Sequence, residues 1–278
     1  MRVSSAAGKV RVGQYEISVD YSSDLYGPDW WTRVSGGEWE NSTLGFVEFG
    51  IHPGSTFIDL GAASGLLSLI AALRGARVLA VEPHPRWLKT LERNVELNGL
   101  IDKIQIIKAA VSSKDGLVLL RRGAKRSVLS DISLGFLEAQ EGDEVKVVSL
   151  ISLLETYEKS AGGLLVKIDI EGAEYAIFDD FDTLRALEVS GARVLLSLHP
   201  GFPYAREISS TVGAFLQHYF LRIRGLVDNM SLYYRVRKFA VIKLVNGDSV
   251  RAGWKFVLLT SSGYLDFVLC FGDQDTSG

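Results

Sequence analysis

Short apolar strand patterns alternate with helical patterns through the middle of the chain, and this alternation constrains the fold more than any other feature. Strand-like runs at Thr56–Leu60 and Arg77–Val81 are each followed by a helical pattern, the first at Leu66–Leu73 and the second beginning at Pro85. Such alternation predicts an α/β fold whose mostly parallel sheet carries helices on both faces. In folds of this class, ligands bind at the carboxyl ends of the strands.

The later strands and helices are predicted from the same periodicities. Strands are expected at 104–111, 117–120, 145–148, 164–170 and 194–198, and helices at 150–157 and over the stripe Ala173, Ile177 and Phe181. The run 164–170 is almost continuously apolar, which is typical of a strand covered on both faces. Beyond residue 219, strands are expected at 233–236, 241–245, 255–259 and 264–271.

The chain is interpreted as one α/β domain with extensions at both ends. Residues 1–45 form an N-terminal extension, 46–225 the main α/β domain and 226–278 a β-rich C-terminal extension of that domain. Alternating apolar residues between positions 9 and 20 predict short strands. Trp30, Trp31 and Trp39 are dense for a loop, and two interpretations stay open: a lid or sugar-stacking surface, or core packing by the extension.

Charge disfavours nucleic acid as the partner, because 30 basic and 33 acidic residues leave a formal net charge of -3. An RNA-binding alternative stays open because of two basic clusters, Arg121–Arg122 with Lys125–Arg126, and Arg235 with Arg237–Lys238. No run approaches the ~20 apolar residues of a membrane span. No signal peptide is recognised, so a cytoplasmic location is expected. Oligomeric state cannot be inferred.

The single cysteine, Cys270, excludes an intrachain disulfide and a CxxC metal motif. It lies in an apolar run and is expected to be a buried small residue.

A glycine-rich turn follows the first predicted strand of the alternating region. The chain reads Asp59-Leu60-Gly61-Ala62-Ala63-Ser64-Gly65 and then enters a helix. Small residues let a ligand approach the backbone and the helix N-terminus. The G-x-G-x-x-G pattern of dinucleotide-binding folds is absent, because positions 63 and 66 hold alanine and leucine. The turn therefore suits a nucleoside cofactor without a pyrophosphate.

An acidic residue, Glu82, follows the second strand about twenty residues after the turn, and Pro83 follows it. In doubly wound nucleotide-binding folds, a carboxylate at this spacing accepts the ribose hydroxyls. The turn, the acid and the strand–helix–strand context together predict a nucleoside site.

These motifs resemble those of the FkbM methyltransferases. The family pattern D-x-G-A-n-x-G corresponds to Asp59 through Gly65, its acid–proline pair to Glu82-Pro83, and its K-I-D-x-E-G-A-E hallmark to residues 167–174 without a change. A histidine–proline pair follows at His199-Pro200. The resemblance covers roughly residues 38–200. Ala63 departs from it, because the family usually has asparagine there.

The resemblance implies a seven-stranded, Rossmann-like methyltransferase fold that uses S-adenosylmethionine to methylate a hydroxyl of a glycan, lipid or small metabolite. It also implies the cofactor contacts. Asp59 faces the amino-acid end of the cofactor, and the turn residues Gly61, Ala62, Ala63 and Gly65 wrap it. Glu82 with Pro83 binds the ribose, Ala109 and Ala110 line the adenine, and Asp169 contributes at the reacting end.

Chemistry at the reacting end is predicted for Asp169, Glu171 and His199. The two carboxylates lie two residues apart at a strand end and share a side with Lys167, which needs a charged partner if it is buried. Asp169 and Glu171 are assigned to positioning, and His199 is the leading general-base candidate because an imidazole titrates near neutral pH. A core or capping role for His199 stays open. Two carboxylates are too few to establish a metal cage, so no metal ligand is assigned. A divalent cation held by Asp169 and Glu171 and completed by substrate hydroxyls stays open as a lesser alternative.

Two alternatives to hydroxyl methylation remain. One is an RNA methyltransferase that uses the basic clusters, and the other is a non-catalytic nucleoside-binding module on the same fold.

Overall fold

A computed structural model describes residues 7–21, 27–38, 41–121, 142–156, 162–170, 173–199, 211–261 and 266–272. The strands are β1 (Ala7–Val12), β2 (Tyr15–Asp20), β3 (Thr56–Leu60), β4 (Arg77–Val81), β5 (Ile104–Ile107), β6 (Ala110–Ser112), β7 (Gly116–Arg121), β8 (Gly142–Ser149), β9 (Leu164–Ile168), β10 (Arg193–Ser197), β11 (Ala240–Leu244) and β12 (Asp266–Phe271). The helices are α1 (Gly27–Ser35), α2 (Asn41–Gly50), α3 (Leu66–Leu73), α4 (Pro85–Leu97), α5 (Leu150–Glu155), α6 (Glu174–Asp179), α7 (Phe181–Ser190), α8 (Thr211–Val236) and α9 (Gly253–Ser261).

Seven strands form the central sheet in the order β11-β12-β10-β9-β3-β4-β5. β4 pairs in parallel with both β3 and β5, whereas β12 pairs antiparallel with β10 and β11. All five residues of β3 and of β9 are buried, as expected for strands covered on both faces. The predicted α/β class with a seven-stranded sheet is confirmed.

The chain divides into two compact units, the first made of residues 1–109 and 159–166 and the second of 110–158 and 167–278. The division at residues 45 and 225 that the sequence suggested stays a prediction. Among the helices that the structure describes, none is both long enough and apolar enough to cross a membrane.

In the first unit, β1 and β2 form an antiparallel hairpin that is held against α4 by side-chain amides. Asn98, the C-cap residue of α4, accepts a hydrogen bond from the Ser18 N–H at 2.9 Å and donates one to the Ser18 carbonyl at 2.7 Å. Trp31 of α1 is buried, with an edge-to-face contact to Trp30 at 4.5 Å between ring centroids. For Trp31 the structure therefore favours core packing over a lid. Trp39 lies outside the described residues.

The prediction of one continuous strand over 104–111 is wrong, because this segment forms two strands in different sheets. Ile107 is the last residue of β5, paired with Val81, and Ala110 starts β6, paired with Val147 in a separate three-stranded sheet of order β6-β8-β7. The chain changes sheet over residues 108 and 109, where the Ala109 N–H donates to the Ile107 carbonyl at 3.0 Å.

Two further predictions in the second unit are wrong. The helix expected over Ala173, Ile177 and Phe181 is broken at Asp180. Asp180 caps α7, because its side chain accepts a hydrogen bond from the Thr183 N–H. Phe181 is therefore 64% exposed and does not continue a buried stripe. Beyond residue 219, the runs 233–236 and 255–259 are helical and belong to α8 and α9. The predicted strands near 241–245 and 264–271 are present as β11 and β12, and Cys270 is buried in β12 as expected.

Candidate functional site

The turn between β3 and α3 has a backbone that favours small residues. Gly61, Ala63 and Gly65 have φ angles of 80°, 48° and 87°, and Ala63 is the one non-glycine residue with positive φ in the described part of the chain. A Cβ on Gly65 would lie 2.4 Å from Leu91 Cδ1 of α4. Glycine is therefore favoured at position 65 by its left-handed conformation, and a larger residue would also require the Leu91 side chain to move.

Glu82 follows β4 and braces this turn. Its Oε2 accepts a hydrogen bond from the Ala63 N–H at 2.9 Å, and its Oε1 accepts one from the His84 N–H at 2.8 Å. The N–H groups of Gly61 and Ala62 donate to the Val81 carbonyl at 3.0 and 3.1 Å. The acid predicted to hold the ribose thus lies directly beside the glycine turn, with Pro83 buried after it.

His84, next along the chain, caps the N-terminus of α4, because its Nδ1 accepts a hydrogen bond from the Arg86 N–H at 3.2 Å. Burial lowers the pKa of His84 below its ordinary value, and the positive charge of Arg86 lowers this pKa further. Both effects favour the neutral imidazole that the cap requires.

Asp59, in β3, is 1% exposed, and its Oδ2 accepts a hydrogen bond from the Ser68 hydroxyl of α3 at 2.7 Å. This bond joins the strand before the turn to the helix after it. The contact of Asp59 with the amino-acid end of the cofactor stays a prediction. Ala109 and Ala110, which were predicted to line the adenine, are fully buried. Ala109 is the last residue of the segment 1–109 of the first unit, and Ala110 is the first residue of the second unit.

The first unit fits S-adenosylmethionine better than a dinucleotide. Its turn presents small residues, and the two acids Asp59 and Glu82 lie at the ends of adjacent strands. Positions 63 and 66 lack the glycines on which a pyrophosphate rests, and the carboxylate of Asp59 favours a ligand that carries ammonium and sulfonium charges over one that carries phosphates.

A second cluster of functional side chains, in the second unit, contains Asp169, Glu174 and His199. Asp169 follows β9, His199 follows β10, and Glu174 is the first residue of α6. Glu174 is fully buried, and its Oε1 lies 2.9 Å from His199 Nδ1 and accepts a hydrogen bond from the Ile170 N–H at 3.1 Å. On the other side of the imidazole, Nε2 lies 3.7 Å from Asp169 Oδ1.

The contact with Glu174 is the basis on which a tautomer is assigned to His199. An ionised carboxylate only accepts hydrogen bonds, so Nδ1 carries the proton in the neutral ring and Nε2 carries the lone pair. The side chain of His199 is 23% exposed, whereas that of Glu174 is 0% exposed. This arrangement of an accessible base oriented by a buried acid is the one that general-base catalysis uses.

The ligand atoms of Asp169, Glu174 and His199 all lie within 4.8 Å of one another, a spacing that a divalent cation can bridge. Two features favour the hydrogen-bonded dyad instead. The Glu174–His199 distance is already that of a hydrogen bond, and the ammonium of Lys167 lies 3.4 Å from Asp169 Oδ2, where it opposes a second cation. The ion pair also satisfies the requirement that the buried Lys167 has a charged partner.

Sequence reasoning did not assign a role to Glu174, although it is the last acid of the eight-residue hallmark. Its position in the first turn of a helix gave no sign of burial, and a buried carboxylate needs a partner. Of the other residues predicted for this end, Glu171 and Pro200 lie outside the described residues. The structure brings Asp169 and His199 together, as the sequence analysis expected for a shared site.

Local similarity to curated proteins is confined to short segments. A ribosomal protein L11 methyltransferase of Pelotomaculum thermopropionicum is 36% identical over 72 residues, which are 26% of this chain and 23% of that protein. The corresponding protein of Syntrophomonas wolfei subsp. wolfei is 44% identical over 62 residues, 22% of this chain and 20% of that protein. The chain thus matches about a quarter or less of the length of these relatives.

Among solved structures, an S-adenosylmethionine-dependent methyltransferase from Methanococcus maripaludis aligns over 91% of this chain and 96% of its own, with 13% identity and a TM-score of 0.40. The family profile described as Methyltransferase FkbM domain matches residues 59–226, which run from the acid of β3 into α8 and include both clusters described above. The match extends over more than half of the sequence. The chain belongs to the FkbM methyltransferase family, whose methyl donor is S-adenosylmethionine.

Proposed function

We propose that the protein is an O-methyltransferase that transfers the methyl group of S-adenosylmethionine to a hydroxyl of a glycan, lipid or small metabolite. The observation that carries the proposal is the 2.9 Å contact between His199 and the buried Glu174. A hydroxyl is a poor nucleophile until it loses its proton, so its methylation benefits from a positioned base. A neutral amine already has a lone pair and needs no base before it attacks.

The roles of the residues follow from their contacts. His199 Nε2 accepts the proton of the acceptor hydroxyl as the oxygen–methyl bond forms, and Glu174 stabilises the resulting imidazolium through Nδ1–H. Asp169 orients the hydroxyl and is itself held by Lys167. The cofactor supplies an electrophilic methyl group on a sulfonium, a reaction that demands close alignment with the acceptor.

The first unit is assigned to cofactor binding. Gly61, Ala62, Ala63 and Gly65 give backbone contacts, and Glu82 with Pro83 binds the ribose. Asp59 faces the amino-acid end, and Ala110, at the start of the second unit, lines the adenine. These assignments rest on the family resemblance together with the turn geometry.

An RNA acceptor is the main alternative, and the described basic side chains support it poorly. The guanidinium of Arg235 donates to the Asp179 carboxylate and to the Phe178 carbonyl, and Arg237 lies over the Tyr233 ring at 5.6 Å. These internal contacts compete with phosphate binding. The other basic cluster, Arg122, Lys125 and Arg126, lies outside the described residues.

The acceptor is identified by incubating the protein with methyl-labelled cofactor and separate glycan, lipid, small-metabolite and RNA fractions, followed by mass analysis. Label on a hydroxyl oxygen of one of the first three fractions supports the proposal. Label on RNA, together with RNA binding that weakens steeply with salt, would establish the alternative. Cofactor binding without label in any fraction would favour a non-catalytic module.

The base assignment is tested with His199→Ala, which should lower turnover at least about tenfold and leave cofactor binding unchanged. His52→Ala is the matched control, because His52 is an exposed histidine of the first unit. Equal turnover by His199→Ala and the wild type would remove His199 from the mechanism.

A further inference from the structure

A buried amide side chain contributes, together with Glu82, to holding the turn that is proposed to bind the cofactor. Asn94 of α4 is fully buried, and its Nδ2 donates a hydrogen bond to the Ser64 carbonyl at 2.9 Å. Ser64 belongs to the turn between β3 and α3, between the strained Ala63 and the glycine at 65. A buried carbonyl needs such a donor, so the amide fixes the position of the turn's backbone.

The same side chain reaches the N-terminal hairpin. Asn94 Oδ1 accepts a hydrogen bond from the Asp20 N–H of β2 at 2.8 Å. One planar amide thus bridges the hairpin backbone on one side and the cofactor turn on the other, and both of its functional atoms are used. Moving the hairpin backbone therefore moves the group that holds the turn.

Packing reinforces this connection. Leu91 lies one helical turn before Asn94 on the same face of α4, and its Cδ1 occupies the space that a side chain at position 65 would need. Asn98, one turn after Asn94, forms two hydrogen bonds with the backbone of Ser18 in the hairpin. This face of α4 therefore contacts the turn through Leu91 and Asn94, and the hairpin through Asn94 and Asn98.

We propose that Asn94 is a positioning residue for the S-adenosylmethionine site, and that the β1–β2 hairpin contributes to cofactor affinity through it. The inference rests on the cofactor site of the proposed function, but it does not depend on which acceptor is methylated. It gives the N-terminal hairpin, which lies outside the matched family region, a part in ligand binding.

Asn94 and Asn98 form a matched pair for the test. Asn94 lies in α4 and Asn98 is its C-cap, and both hold the hairpin backbone. The contacts of Asn98 are to Ser18 and to the Asn94 carbonyl, whereas the Asn94 side chain also donates to the Ser64 carbonyl. The measurement is the dissociation constant of S-adenosylhomocysteine by titration calorimetry on the full chain, with the melting temperature recorded for each variant.

Asn94→Ala should weaken binding about tenfold, and Asn98→Ala by less than about twofold, although both lower the melting temperature. Asn94→Asp is the second variant. It retains an acceptor for the Asp20 N–H but turns the donor to Ser64 into an oxygen, so it should also weaken binding. If Asn94→Ala is unfolded, this isosteric change decides the matter.

Unchanged affinity in a folded Asn94 variant, or equal weakening by the Asn98 variant, overturns the proposal. Hydrogen exchange gives a readout that a general loss of stability does not reproduce: the amides of the turn should exchange faster in the Asn94 variants than in Asn98→Ala at matched stability. Failure of the wild-type protein to bind S-adenosylhomocysteine would instead contradict the proposed function.

Discussion

Ala63 has a left-handed backbone at the centre of the turn between β3 and α3, and this conformation leads to a quantitative prediction. Its φ of 48° costs an L-residue with a Cβ about 1–2 kcal/mol relative to right-handed conformations. Glycine removes that cost but adds about 0.4–1 kcal/mol of unfolded-state entropy. Ala63→Gly should therefore raise the free energy of unfolding by about 0.5–1 kcal/mol.

Ala62→Gly is the control, because Ala62 is buried and is not among the residues with positive φ. It gains no strain relief, loses the same entropy and gives up a buried methyl, so it should be less stable by about 1–2 kcal/mol. The two variants are predicted to change stability in opposite directions, although each replaces alanine by glycine in the same turn.

Ala63→Asn adds a chemical test. Asparagine enters the left-handed region more readily than alanine, which gives a physical reason for the asparagine that the family usually has here. This variant should also be more stable than the wild type. The hydrogen bond to the Glu82 carboxylate is donated by the backbone N–H of residue 63, so the substitution preserves it.

The assay is equilibrium unfolding in urea, monitored by circular dichroism, without cofactor. The midpoint should rise for Ala63→Gly and Ala63→Asn and fall for Ala62→Gly, with equal m-values. A loss of stability in Ala63→Gly as large as that in Ala62→Gly would falsify the left-handed assignment at position 63.

Two further predictions concern histidines. Glu174→Ala should convert His199 from the Nδ1–H to the Nε2–H tautomer, which is visible in ¹H–¹⁵N spectra of histidine-labelled protein. It should also lower turnover about 10- to 100-fold, because a hydrogen bond to a charged group contributes about 1.5–3 kcal/mol. An unaltered tautomer contradicts the dyad, and selective broadening of His199 signals by Mn²⁺ in the wild type would favour a cation site. For His84, the folded pKa lies below the unfolded one, so the unfolded state binds more protons and stability falls as the pH drops below about 6.5. His84→Asn, which retains a capping acceptor, should flatten that part of the stability–pH profile, and a profile identical to the wild type's would argue against this linkage.

The strands and helices nearest the cofactor turn could be predicted because their boundaries are encoded locally. β3, α3 and β4 have the predicted bounds, since glycines and a proline punctuate short apolar runs. The break at residues 108 and 109 could not be predicted, because hydrophobic periodicity does not reveal which sheet a strand joins. The run 233–236 was assigned wrongly for a related reason: a four-residue segment with two tyrosines and a valine fits a strand and the last turn of a long helix equally well.

For the candidate site, the residue types were predictable and their pairing was not. The hallmark and its neighbours identified Asp169 and His199, which the structure brings within 3.7 Å. Glu174 was overlooked because its importance comes from complete burial beside an imidazole that is 25 residues away in sequence. Asn94 was overlooked for the same reason, since a polar residue on an amphipathic helix is usually exposed.

Asn94 and Asn98 bind the hairpin through its main chain, so the two hydrogen bonds at Ser18 do not depend on which side chain that position carries. The packing of the hairpin does depend on its sequence, because Ile17, Val19 and Asp20 are buried. During divergence, position 18 can therefore change more freely than its buried neighbours while the main-chain hydrogen bonds persist. Two asparagines four residues apart, at the end of the helix that follows Glu82, would identify such a hairpin in distant relatives.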